Sequence, residues 1–273
     1  MSGREFPLTI GGRFVEANWW GPGPEEAPTI VLLHEGLGCV ALWRDFPARL
    51  AAATGCGVFA YSRFGYGGSD PVSLPRPLTY MHEEALKILG PVMDAAGIRR
   101  AILVGHSDGG SIAAIFAGGV PDFRLRGAVM IAAHFLCEDV AVTSIEAARL
   151  AYETTSLREK LGRYHRDVDN AFWGWNGAWL DPEFKKWRID DYVPTIRVPA
   201  LLIQGSADEY GTLAQFEAFT SQAYCPVETV VIEGAGHSPH LSHAAETLSV
   251  IEGFVARILA LESVPPYAMQ NNA

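Results

Sequence analysis

Three short segments carry side chains that together could perform acyl transfer. VGHSDGGS at 104–111 sets Ser107 between Gly105 and the pair Gly109-Gly110, directly behind the apolar run AIL. A serine hydroxyl is a weak nucleophile at neutral pH and needs a neighbouring base; the base in turn needs a group that fixes its tautomer and stabilises the imidazolium. GAGHSPH at 234–240 offers His237 on a glycine-hinged loop, and GSADEYG at 205–211 offers Asp208, with Glu209 beside it as an alternative acid. Of the eight histidines, His82 and His165 lie in or beside polar helical stretches and are expected at the surface. His106 is expected to point away from Ser107. His240 and His243 stand as alternative bases where the last helix begins. A glycine-serine loop that only caps a helix is the competing reading of Ser107.

Chemistry of this kind requires the three segments to meet, and the pattern around them supplies the means. Apolar, β-branched runs such as TIVLLH at 29–34, VFAY at 58–61, AILVG at 101–105 and ALLIQG at 200–205 suit strands buried on both faces. They alternate with helical spacing over 41–53, 79–96, 107–117, 213–223 and 244–261, with further strands at 125–133 and 228–232. Segments 8–10 and 13–18 flank Gly11-Gly12 and read as a hairpin. The regular alternation lapses for about sixty residues after 133, too long for an ordinary connection, and reads as an insertion. The tail at 263–273 reads as frayed. Alternating strands and helices imply a mostly parallel sheet covered on both faces, which binds ligands at the carboxyl ends of its strands. Ser107, Asp208 and His237 all follow strands, so they share that edge, and a sharp strand-to-helix turn at Ser107 would expose its hydroxyl. HEGLG at 34–38 follows another buried strand. The N–H of Gly36, with that of Asp108 at the start of the helix, is expected to form the hole that receives a developing oxyanion.

Composition narrows the partners. A chain of 273 residues with net charge −10, 49% apolar and 19% charged residues is of globular type, and it has no Lys/Arg-rich run for nucleic acid or an anionic membrane. A small-molecule substrate is expected, with a homodimer left open. The first residues, MSGREFPLTIGG, have no apolar signal region and no run of eighteen apolar residues follows, which predicts a cytoplasmic protein. Cys39, Cys56, Cys137 and Cys225 are scattered without metal-ligand spacing and read as buried thiols. Neither a metal nor a cofactor is called for.

Taken together, GHSDGG, HEGLG, YSRFGYGGSD at 61–70, GSADEYG and GAGHSPH resemble the α/β-hydrolase superfamily, across nearly the whole chain and in its Ser, Asp, His order. The resemblance implies an α/β-hydrolase core at 1–133 and 194–273, with a helical cap at 134–193 inserted after strand six. It implies a serine hydrolase of esterase type, working through an acyl-enzyme on Ser107. A C–C bond hydrolase, a lactonase, a thioesterase or a cofactor-free haloperoxidase could use the same residues, and a non-catalytic ligand-binding member remains a separate class. Epoxide hydrolases and haloalkane dehalogenases of this superfamily carry Asp at the nucleophile position, where this chain has Ser107.

Substrate-facing positions are expected at His34, Glu35 and Leu37 of the oxyanion loop, and at Trp173 and Trp175 of FWGWNGAW in the insert. With Trp179 and Trp187, the insert holds four of the seven tryptophans, suited to an aromatic or cyclic acyl group or to the cap's own core. Glu35, where many members have glycine, and Asp108 add carboxylates that either favour a cationic substrate or bond within their own loops.

Overall fold

The structure is a computed structural model, and it describes residues 3–262; the tail read as frayed lies outside the described residues. Ten strands form in chain order: β1 (Arg4–Glu5), β2 (Leu8–Ile10), β3 (Arg13–Val15), β4 (Ala17–Trp20), β5 (Thr29–Leu33), β6 (Gly57–Tyr61), β7 (Ala101–His106), β8 (Leu125–Ile131), β9 (Ala200–Gly205) and β10 (Val227–Ile232). Eight of them make one sheet in the order β1-β4-β6-β5-β7-β8-β9-β10. From β6 to β10 neighbours are parallel, while β1 and β4 join antiparallel. This is the α/β-hydrolase fold read from the sequence.

The central strands are mainly apolar because each buries both faces. Alternate residues of β5, β7 and β9 divide between two cores. Ile30, Leu32, Ile102, Val104, Leu201 and Ile203 pack beneath α1 (Phe46–Thr54) and α10 (Ala244–Glu262). Val31, Leu33, Leu103 and Leu202 face α3 (Leu89–Ala95), α4 (Asp108–Gly119) and the insert. The insert between β8 and β9 folds as α5 (Asp139–Thr154), α6 (Leu157–Leu161) and α7 (Val168–Trp179), followed by two 3₁₀ turns. A short α2 (Tyr80–Glu83) precedes α3, and α8 (Ala214–Thr220) and α9 (Pro239–Ser242) complete the helices among the described residues. None of these helices is long and apolar enough to cross a membrane.

Three elements differ from the sequence reading, each for a local reason. The strand expected at 13–18 breaks at Glu16: Arg13–Val15 pairs with β2 across Gly11 and Gly12, both at positive φ, and Ala17–Trp20 enters the large sheet. The helix expected at 41–53 is a 3₁₀ turn at Val40–Trp43 and then α1, separated at Arg44 (φ 54°), with Pro47 in the first turn of α1, where its missing N–H costs no bond. The helix expected at 79–96 widens to a π turn at Glu84–Ile88, because Pro91 has no N–H to donate and its ring crowds the Lys87 carbonyl.

Candidate active site

Ser107 sits between β7 and α4 at φ 53° and ψ −120°, a strained conformation for any residue with a Cβ. The turn is as sharp as this because two backbones nearly touch. A Cβ at Gly105 would overlap the Gly109 backbone, and one at Gly109 would overlap the Leu33 carbonyl at the end of β5. The hydroxyl emerges at the start of α4, whose first residue, Asp108, has an N–H with no partner inside the helix. The helix dipole favours negative charge at that point.

The loops after β9 and β10 bring the other two groups to the same edge. Ser107 Oγ and His237 Nε2 are 2.9 Å apart, and His237 Nδ1 lies 2.9 and 3.0 Å from the two Asp208 carboxylate oxygens. The Asp208 oxygens also accept from the Tyr210 N–H at 2.8 Å and the Gln204 amide at 2.5 Å. Burial pushes the Asp208 carboxyl up, but the hydrogen bond and charge of His237 outweigh it and keep the group ionised below its ordinary range. With Asp208 accepting, Nδ1 carries the proton and Nε2 is left free to take one from Ser107. Glu209, the alternative acid, is spent elsewhere, accepting the backbone N–H of His237 at 3.1 Å.

The alternative bases do not reach Ser107. His240 is buried against Trp43 and Phe46, and His243 bonds Ser242. Two histidines set aside on sequence are corrected. His106, expected to point away from Ser107, lines the same cavity as Ser107; its Nε2–H donates to the His237 carbonyl at 2.8 Å and its ring backs the His237 ring at 5.2 Å. His165 is buried rather than solvated: Nδ1 accepts from the Gly67 N–H at 2.9 Å and Nε2–H donates to the Leu37 carbonyl at 3.0 Å, tying the insert to the loop after β5.

A cavity of about 190 Å³ opens over Ser107, walled by Gly36, Leu37, Ile145, Trp175, Trp179 and Tyr210 and reached by Glu35, Asp108, His134 and Glu209. Glu35, Leu37 and Trp175 thus stand where the sequence placed them, whereas His34 and Trp173 do not. His34 is fully buried with both ring nitrogens used: Nδ1–H donates to the Glu35 carbonyl at 2.7 Å and Nε2 accepts from the Arg63 N–H at 3.0 Å. Trp173 lies on the outer side of α7, against Tyr152 and Phe172. Trp175 and Trp179, one turn apart, share the inner side. That spacing was available in the sequence and would have favoured Trp179 over Trp173.

Of the two carboxylates beside Ser107, Asp108 is held by hydrogen bonds from the protein itself. Asp108 accepts from the Tyr80 hydroxyl at 2.5 Å and from Trp179 Nε1 at 3.3 Å, with Arg63 3.9 Å away. Burial pushes its carboxyl up, against the opposing charge of Arg63. Glu35 Oε2 lies 3.5 Å from His106 Nδ1, and its carboxyl packs on Gly38. Among the described residues no cluster of His, Cys, Asp or Glu could hold a metal ion.

His134, missed in the sequence, lies between the Trp179 and His237 rings, 5.0 and 5.7 Å away, and its Nδ1 is buried without a partner. Burial lowers it from an ordinary 6.5 to about 3, with the His237 and His106 charges adding to the effect and Asp208 opposing it. A histidine kept neutral in the fold binds its proton more readily when unfolded, so its share of stability is intact above pH 6.5 and is lost as pH falls toward 3. Each pH unit in that window costs about 1.4 kcal/mol. Urea unfolding followed from pH 6.5 to 4.5 should therefore show His134→Phe losing roughly 2 kcal/mol less than the parent. Parallel curves for the two proteins would refute this.

Comparison with known proteins agrees with the fold. Epoxide hydrolase 3 of Siraitia grosvenorii is 31% identical over 130 residues, which are 46% of this chain and only 38% of that protein. The enol-lactonase of Burkholderia xenovorans LB400 superimposes with a TM-score of 0.72 at 21% identity, covering 92% of this chain and 100% of that one. The naproxen esterase (carboxylesterase NP) of Bacillus subtilis gives 0.69 at 20% identity, covering 93% and 91%. At such identities the likeness to the two solved structures is one of fold. The sequence pattern of the Alpha/beta hydrolase family matches residues 30–250, and the chain belongs to that family.

Proposed function

We propose that this protein is a serine hydrolase that cleaves a carboxylic ester, or a related acyl bond, of a small substrate with an aromatic or cyclic acyl group. The observation that carries the reading is the unbroken line of hydrogen bonds from Ser107 through His237 to Asp208. In it, His237 takes the Ser107 proton as the serine oxygen bonds to the acyl carbon. The carbonyl electrons move to oxygen beside the Gly36 and Asp108 N–H groups. The proton then goes to the leaving alcohol, and water repeats the sequence on the acyl-enzyme. The epoxide hydrolase relative does not redirect this reading. Opening an epoxide with an aspartate gives an ester that water can cleave, whereas opening it with Ser107 would give an ether and end turnover.

The walls of the cavity argue for its substrate class. Trp175, Trp179, Ile145 and Leu37 offer apolar and aromatic surface, and the charged side chains lining it are the carboxylates Glu35, Asp108 and Glu209, with no Lys or Arg. A fluorophosphonate probe should label the parent and neither Ser107→Ala nor His237→Ala. In a p-nitrophenyl ester panel, neutral aryl esters should exceed anionic hemiesters of equal size by at least about tenfold in kcat/KM. A folded parent that stays unlabelled would remove the reading, and an equal rate on anionic esters would remove the substrate class.

A further inference from the structure

Within the serine-hydrolase reading, on which this inference rests, the insert supplies more than a wall. We infer that the indole N–H of Trp175 is a third donor to the oxyanion, delivered from α7 to the hole formed by the Gly36 and Asp108 backbone. Three observations converge. A Cβ at Gly36 would overlap the Trp175 indole, with Nε1 the nearest atom, so this N–H lies directly over the oxyanion loop. Trp175 is 7% exposed and lines the same cavity as Ser107, Asp108 and His237, and among the described residues its N–H has no hydrogen-bond acceptor. The N–H is not among the polar atoms sealed from solvent, so it is open to a group that enters the cavity.

The third observation concerns how the donor is aimed. Trp179, one turn along α7, donates to Tyr80 Oη at 3.0 Å and to the Asp108 carboxylate at 3.3 Å. The residue that provides one backbone donor of the hole thereby also fixes the register of the helix that carries Trp175. Asn176 anchors the same turn on Ile145 at 3.1 Å, and Phe172 packs on the Trp175 ring with centroids 6.1 Å apart. The donor is therefore preorganised, so little rearrangement is needed as charge develops. An oxyanion has lone pairs for three donors, and an indole N–H is too weak an acid to transfer its proton, so its contribution is electrostatic. The carboxylate of Asp108 then has a role other than substrate recognition: it holds the α7 tryptophans over the nucleophile.

The test removes the N–H and keeps the ring. Trp175→Phe, and replacement of Trp175 by benzothienylalanine, in which sulfur takes the place of the N–H, are compared with the parent on one neutral aryl ester. The readouts are kcat, KM and the affinity of a trifluoromethyl ketone, which forms a tetrahedral oxyanion on Ser107. Both variants should lose about 10²-fold in kcat with KM within about twofold, and the ketone should weaken by the same factor as kcat/KM. If the benzothienylalanine protein keeps parental kcat and ketone affinity, the inference fails while the parent's turnover leaves the serine-hydrolase reading standing. A change confined to KM would also overturn it, by making Trp175 a packing surface only. Failure of the reading itself looks different, because the parent would then neither turn over the ester nor bind the ketone through Ser107.

Discussion

Ser107→Ala is expected to lower kcat on the best aryl ester by about 10⁶-fold, His237→Ala by a similar factor, and the double variant by no more than either alone. The losses do not multiply because each residue is useful only through the other. The base at 2.9 Å has nothing to activate without the hydroxyl, and the hydroxyl stays protonated without the base. What survives in all three variants is the contribution of the oxyanion donors and of binding, which no longer depends on either side chain. About 8 kcal/mol of transition-state stabilisation thus belongs to the pair, not to one member. Ser107→Ala should fold as the parent does, since alanine meets the same strain at φ 53° and only the bond to His237 is lost. Active-site-titrated kinetics on the parent, both single variants and the double variant decide the matter. Losses that multiply in the double variant would mean that Ser107 and His237 serve separate steps.

How much of this was legible beforehand follows from the range over which each constraint acts. The turn at Ser107 is written locally: glycine is required at 105 and 109 by backbone contact, and an apolar run on one side and a helix on the other define the turn. Asp208 and His237 could be chosen from many carboxylates and eight histidines because a parallel sheet delivers the ends of β7, β9 and β10 to one edge. Partners brought together by packing alone left no such trace. Tyr80 and Trp179 lie 28 and 71 residues from Asp108, and His106 meets the His237 carbonyl across 131 residues. Their neighbourhoods in sequence look like ordinary helix or strand. His165 misled for the same reason. It stands among polar residues, yet it is buried because the loops carrying Gly67 and Leu37 close over it and use both its nitrogens.

The insert shows a signal that was present and underused. Helical spacing separates its tryptophans into an outer position, 173, and an inner pair, 175 and 179. Asp108 and Glu35 suggested a cationic ligand, but a carboxylate beside Arg63 that already accepts from Tyr80 and Trp179 has little left for substrate. A count of donors around a buried carboxylate thus says more about its role than its position in a motif does.

Asp208→Asn should lower kcat by about 10⁴-fold while leaving the fold intact. Asparagine matches aspartate in shape, and its amide oxygen can still accept the Tyr210 N–H. The amide nitrogen would then meet Gln204, whose Oε1 is buried without a partner. A flip of the Gln204 side chain gives that nitrogen an acceptor but gives up the Gln204 bond to the Gly211 carbonyl, so unfolding temperature should fall by no more than about 4–8 °C. Catalysis has no such remedy. Without the negative charge, the imidazolium formed as Ser107 attacks is unsupported. An amide N–H turned toward Nδ1 would also place the ring proton on Nε2, facing the hydroxyl it must deprotonate. Glu209 does not take over, because its carboxylate is engaged by the His237 backbone N–H rather than by the ring. Asp208→Asn combined with Glu209→Gln should therefore be no slower than Asp208→Asn alone. A further loss in that double variant would show Glu209 acting as the reserve acid, and a loss below about tenfold in Asp208→Asn would show that the ring is not oriented by its carboxylate.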